Sequence, residues 1–167
     1  EIVGSDPDAE IVFIAGAHDF WTEALKRRFA RLSPDLAART RFMPFLSGED
    51  FFRLISVADV MLDPIHFSGG NTSFEGFATG TPIVTMAGRF MRSRVTYAMY
   101  RQMGLDACIA KDAGDYARLA VEIGRNRGVR DDIRNDILAA REALYGVTSS
   151  VQQIGRELEA AFDAAIA

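Results

Sequence analysis

The chain of 167 residues has 49% hydrophobic and 25% charged residues, enough for one globular domain or one lobe of a larger enzyme with a sizeable core. A formal net charge of −4 gives no footing for wrapping a polyanion, so nucleic acid is not an expected partner. A single cysteine, Cys108, excludes an internal disulfide and fits a reducing, cytoplasmic setting; no apolar run reaches membrane-spanning length, so no membrane is expected either.

The chain opens at Glu1 without a methionine and soon enters Ile11-Val12-Phe13-Ile14, so it is expected to be cut from something longer. Ile11 to Ala15 predicts a first strand, followed by Gly16-Ala17-His18-Asp19 and an amphipathic helix over Trp21 to Leu32, with Leu25, Phe29 and Leu32 on one face. Pro34 is expected to end that helix. Thr40 to Phe45 predicts a second strand, Glu49 to Val57 a helix, and Ala58 to Asp63 a third strand. The loop Pro64 to Thr72 leads to a helix through Ala78. After the Gly80-Thr81-Pro82 turn, Ile83 to Met86 predicts a fourth strand. Ser93 to Met103 predicts a helix and Ala107 to Ile109 a fifth strand. Tyr116 to Ile123, Asp131 to Leu144 and Val151 to Ile166 then have helical periodicity. Strands alternating with helices give an α/β fold with a doubly wound parallel sheet, in which ligands bind beyond the carboxyl ends of the strands. The whole chain, 1–167, reads as one domain, with 130–167 as its helical tail, the last two helices being packing helices.

The most informative segment runs from Leu62 to Gly76. A strand ends, Gly69-Gly70 lets the backbone turn, and Asn71, Thr72 and Ser73 favour a helix start. Bare amides at that start, together with the helix dipole, suit an anion such as a diphosphate. Glu75, one turn further in, is placed to accept hydrogen bonds from the vicinal hydroxyls of a ribose. From the residues alone, a plain capped helix with an ordinary first-turn acid fits equally well. Two scattered histidines and one cysteine argue against a metal site.

Ser68-Gly69-Gly70-Asn71-Thr72-Ser73-Phe74-Glu75, followed by Gly80-Thr81-Pro82-Ile83-Val84-Thr85-Met86, Gly88 and Ser93-Arg94-Val95, resembles the O-linked N-acetylglucosamine transferase and Spindly-like family. The similarity runs from about Phe42 to Gly124, and it rests on the order and spacing of the motifs. It implies a Rossmann-like C-terminal lobe of the two-lobed GT-B fold. It also implies an inverting transfer from a nucleotide-diphosphate sugar, expected to be UDP-linked, to Ser or Thr of a protein. The positions matching Asn71 and Thr72 then contact the diphosphate beside Gly69 and Gly70, and the one matching Glu75 holds the ribose. Backbone near Leu46 reads the base, Phe51 lies against it, and Arg94 matches a recurrent arginine beside the cleft. The chain departs from the animal enzymes at Gly70, where they have histidine, and at Glu75, where they have aspartate.

The resemblance assigns the acceptor site, the catalytic base and a phosphate-contacting lysine to segments outside the chain. No catalytic residue is therefore expected in this lobe, and no cofactor or metal beyond the donor sugar. The expected partners are an N-terminal catalytic lobe, upstream tetratricopeptide repeats and a protein acceptor. An epimerase of the same fold and a non-catalytic binding lobe are the alternatives, and the spacing from Gly80 to Val95 favours the transferase.

Overall fold

The computed structural model describes residues 1–16 and 18–166; Ala17 of the expected Gly16–Asp19 turn and the terminal Ala167 lie outside the described residues. The elements are α1 (Ile2–Ser5), β1 (Ile11–Ile14), α2 (Asp19–Leu32), α3 (Pro34–Ala38), β2 (Thr40–Met43), α4 (Gly48–Val57), β3 (Met61–Leu62), α5 (Asn71–Ala78), β4 (Ile83–Met86), α6 (Val95–Met103), β5 (Ile109–Ala110), α7 (Ala113–Arg125), α8 (Arg127–Ala140) and α9 (Ser149–Ile166). Single 3-10 turns precede α6 and follow α8.

All strand pairs are parallel and joined through helices, as the alternation of patterns predicts. They fall into two groups, β1 with β2 and the ordered trio β3-β4-β5. No ladder among the described residues joins the two groups. The strands are short: β3 has only Met61 and Leu62 in register with Ile83 and Val84.

The core belongs to the second group. Phe77, Ile83, Val84, Tyr100, Cys108, Ile123 and Ile137 are fully or almost fully buried. Each large side chain so buried contributes about 1.5–3 kcal/mol. Phe77 meets Tyr100 edge-on at 4.8 Å, and the Tyr100 hydroxyl accepts a hydrogen bond from the Ile83 amide at 2.9 Å. Gly76 brings α5 against the strands: a β-carbon there would come within 2.8 Å of both Ile83 Cδ1 and Met61 Sδ.

The expected apolar face of α2 is only partly used. Phe29 packs on Phe13 and Phe42, but Leu25 and Leu32 are exposed, as are Phe20 and Trp21. Pro34 does end α2, and it also begins α3: Ser33 caps the new helix by accepting from the Leu36 amide at 3.2 Å, and proline fits the first turn because its missing N–H has no partner there.

In the tail, α8 is a packing helix and α9 is not. Ile137 of α8 is completely buried. Arginines of α8 and the turn after it cap three other helices. Arg134 reaches the Ser56 carbonyl at the end of α4, Arg141 the Ala78 carbonyl at the end of α5, and Arg130 the Ile123 and Gly124 carbonyls near the end of α7. By contrast α9 has no buried residue; its stripe of Val151, Ile154, Leu158, Phe162 and Ile166 faces outward. Helical spacing marks a face that favours burial, but the partner need not lie in the same segment.

Candidate functional site

The loop between β3 and α5 is held from below by one carboxylate. Asp63, only 4% exposed, accepts three hydrogen bonds: Gly69 N–H to Oδ1 at 2.7 Å, Ser68 Oγ to Oδ2 at 2.8 Å and Thr85 Oγ1 to Oδ2 at 2.6 Å. Its own carbonyl accepts the Tyr116 hydroxyl at 2.9 Å. Burial, with the Asp63 charge nearby, pushes that phenol well above its ordinary range. Asp63 thus ties β3, β4, α7 and the glycine loop together.

The network continues into the two helices. Ser68 Oγ lies 2.9 Å from Thr96 Oγ1 and accepts from the Thr96 amide at 3.0 Å, while Thr96 Oγ1 lies 2.7 Å from Ser73 Oγ. Each hydroxyl has one proton. Ser68 Oγ is placed to donate both to the Asp63 carboxylate and to Thr96 Oγ1, so its one proton is shared between them, and either Ser73 or Thr96 donates in the remaining bond. Ser68, Ser73, Thr85 and Thr96 are all buried, and among the described residues no buried side-chain polar atom is left without a partner.

On this base, the start of α5 faces outward. The Gly70 carbonyl accepts from the Ser73 and Phe74 amides, Gly70 supplies no side-chain cap, and Gly70, Asn71 and Thr72 are exposed. At a helix start the amides of the first residues have no partner within the helix, so those of Asn71 and Thr72 suit an incoming anion. Gly69 is constrained by close approach: a β-carbon there would overlap Ser73 Oγ and come within 2.8 Å of Thr72 Oγ1. Glu75 is half-buried one turn further along.

Gly69, Gly70, Asn71, Thr72 and Glu75 therefore form one group. Arg94 borders it. The Ser68 amide donates to the Arg92 carbonyl at 2.8 Å, which fastens the loop after β4 to the loop after β3. In that second loop Arg94 is exposed, donates to the Gly88 carbonyl at 2.9 Å and lies 5.0 Å from the Tyr97 ring centre. Leu46 and Phe51 sit apart, before and within the first turn of α4, and no hydrogen bond among the described residues links them to the glycine loop. Phe51 is half-buried and its neighbour Phe52 is 40% exposed, so neither ring is a fully buried core residue. An open groove lined by Ala15, Asp19, Thr22, Lys26, Phe42 and Pro44 runs at the carboxyl ends of β1 and β2, just ahead of Leu46.

Of the histidines, His66 is an exposed loop residue, and His18 stacks on Phe20 and meets Trp21 edge-on. Among the described residues no three His, Cys, Asp or Glu side chains converge as metal ligands would. Sequence reasoning gave Asp63, Thr85 and Thr96 no role. The available signal was Thr85, a polar residue inside the apolar strand Ile83–Met86, where burial demands a partner.

Comparison with known proteins agrees with this architecture. The model of glycosyl transferase family 41 matches residues 23–154. A probable UDP-N-acetylglucosamine–peptide N-acetylglucosaminyltransferase, SPINDLY, from Arabidopsis thaliana is 25% identical over 139 residues, 79% of this chain and 15% of that protein. The UDP-N-acetylglucosamine–peptide N-acetylglucosaminyltransferase of Caenorhabditis elegans is 30% identical over 104 residues, 62% of this chain and 9% of that protein. The chain thus spans less than a fifth of either relative. A solved O-GlcNAc transferase variant from Thermobaculum terrenum superposes with a TM-score of 0.76 at 27% identity, over 96% of this chain and 31% of that one. With the family pattern spanning most of its length and the fold of one lobe of such an enzyme, the chain belongs to glycosyl transferase family 41.

Proposed function

We propose that the chain is the donor-binding lobe of an inverting protein O-glycosyltransferase that moves a sugar from a UDP-linked donor to Ser or Thr of a protein. The observation that supports this most directly is the outward-facing start of α5, whose loop is braced by the buried Asp63 carboxylate. In this reading the amides at Asn71 and Thr72, with the Thr72 hydroxyl, hold the diphosphate and stabilise the charge that develops on it as the sugar leaves. Glu75 accepts from the ribose hydroxyls, backbone at Leu46 reads the pyrimidine, and Phe51 stacks on it for about 1–3 kcal/mol. Arg94 adds positive charge at the rim. The base that takes the acceptor proton comes from an N-terminal lobe, with tetratricopeptide repeats upstream to present the acceptor, and no step uses a metal. The names of the relatives, which specify UDP-N-acetylglucosamine and a peptide, support the donor and acceptor classes.

Titration calorimetry of the 167-residue chain with uridine, guanosine and cytidine diphosphates tests the reading. Weak binding with preference for uridine diphosphate, and no sugar transfer by the chain alone, is the expected result. Preference for another base, or turnover by the chain alone, overturns it.

A further inference from the structure

We infer that Asp63 is a positioning residue for donor binding: it touches no ligand but sets the glycine loop so that the amides at the start of α5 face the diphosphate. The inference rests on the nucleotide reading above and adds a residue and a mechanism to it. Three observations lead there. First, the two carboxylate oxygens have different tasks. Oδ1 takes the Gly69 amide, two residues before α5, and Oδ2 takes hydroxyls from Ser68 and from Thr85 of β4. The carboxylate thus fixes the loop relative to the sheet and not merely to itself. Second, the same Ser68 hydroxyl leads through Thr96 to Ser73, so the first turns of α5 and α6 are set by the same group. Third, the loop packs closely on the first turn of α5: a β-carbon at Gly69 would overlap Ser73 Oγ and come within 2.8 Å of Thr72 Oγ1.

Charge gives the inference its sign. A carboxylate near the start of α5 repels a diphosphate, so a purely electrostatic role predicts that neutralising it tightens binding. A positioning role predicts the reverse. In Asp63→Asn the amide oxygen can still receive the Gly69 N–H. The amide nitrogen then faces Ser68 and Thr85, whose hydroxyl protons must both turn elsewhere, and Thr85 is fully buried. Thr85→Val is nearly isosteric, keeps the Gly69 bond, and removes one of the two donors that orient Oδ2.

The experiment is a chemical-shift titration of the 167-residue chain and both variants with uridine diphosphate and with uridine, alongside hydrogen exchange at the Gly69 amide. Asp63→Asn is expected to weaken uridine diphosphate about tenfold, equivalent to about 1.4 kcal/mol, and uridine less than about twofold. Thr85→Val is expected to weaken uridine diphosphate by about threefold, in the same direction, with faster Gly69 exchange in both variants. Unchanged or tighter diphosphate binding, or equal weakening of both ligands, overturns the positioning role; if Asp63→Asn does not fold, Thr85→Val decides alone. Failure of the unaltered chain to bind uridine diphosphate is a different result: it removes the nucleotide reading and this inference with it.

Discussion

Adding one methyl group at Gly69 gives a sharp test of the loop geometry. In Gly69→Ala the new carbon would overlap Ser73 Oγ and press on Thr72 Oγ1 at 2.8 Å, with Asp63 Oδ1 next at 3.6 Å. Thr72 is exposed and can rotate away; Ser73 is 2% exposed and its hydroxyl lies 2.7 Å from Thr96 Oγ1. Relieving the overlap therefore means turning Ser73 out of its bond, which leaves a buried hydroxyl unpaired at about 1–3 kcal/mol. For a chain of this size that corresponds to a fall in melting temperature of about 2–12 °C. The decisive assay is a double-mutant cycle by urea or thermal unfolding. Ser73→Ala removes the overlapping atom, and in that background Gly69→Ala should cost less than about 0.5 kcal/mol, a coupling of about 0.5–3 kcal/mol. If Gly69→Ala costs the same with and without Ser73, close approach is not what demands a glycine there.

Glu75→Gln is expected to cost uridine diphosphate about 1.5–3 kcal/mol of affinity, the range for hydrogen bonds to a charged group, and the 2′-deoxy ligand much less. Competition titration with the two ligands checks this, and equal losses would count against ribose recognition. Cys108 gives a pH dependence. Burial raises its thiol from 9.0 to about 11, so the folded chain keeps a proton that the unfolded chain releases. Its contribution is intact below pH 9 and is lost as pH rises toward 11, on the order of 2–3 kcal/mol, and Cys108→Ala should flatten the decline seen by urea unfolding across that window.

The fourth strand was legible to the residue because Pro82 and Gly88 bracket a run with a single polar member. The start of α5 was legible to within two residues: the expected loop ran to Thr72, whereas the helix already begins at Asn71, directly after the glycine pair. The third strand proved shorter than its apolar run, because only Met61 and Leu62 find a ladder partner. The helices α1 and α3, four and five residues long, have too little length to express a period. Of the site, the residues around Asn71 were visible as a local pattern. The Asp63 network was not: Ser68, Thr85 and Thr96 come from three separate stretches, and each hydroxyl alone looks like an ordinary cap or strand threonine. Only packing shows that they share one carboxylate.

The arginines that cap three helices from α8 have a consequence for how far the folding unit extends. Cutting the chain ahead of Arg127 would uncover the carbonyl ends of α4, α5 and α7 at once, besides removing Ile137 from the core. Lysine could not take over, because its single ammonium lacks the forked donors with which Arg134 brings both terminal nitrogens to one carbonyl and Arg130 reaches two carbonyls of α7 while also pairing with Asp59. The boundary of what must fold together therefore falls after Tyr145, whose hydroxyl closes on the Phe74 carbonyl at 2.5 Å. Beyond that point α9 carries an apolar stripe on the outside of the lobe and no buried residue.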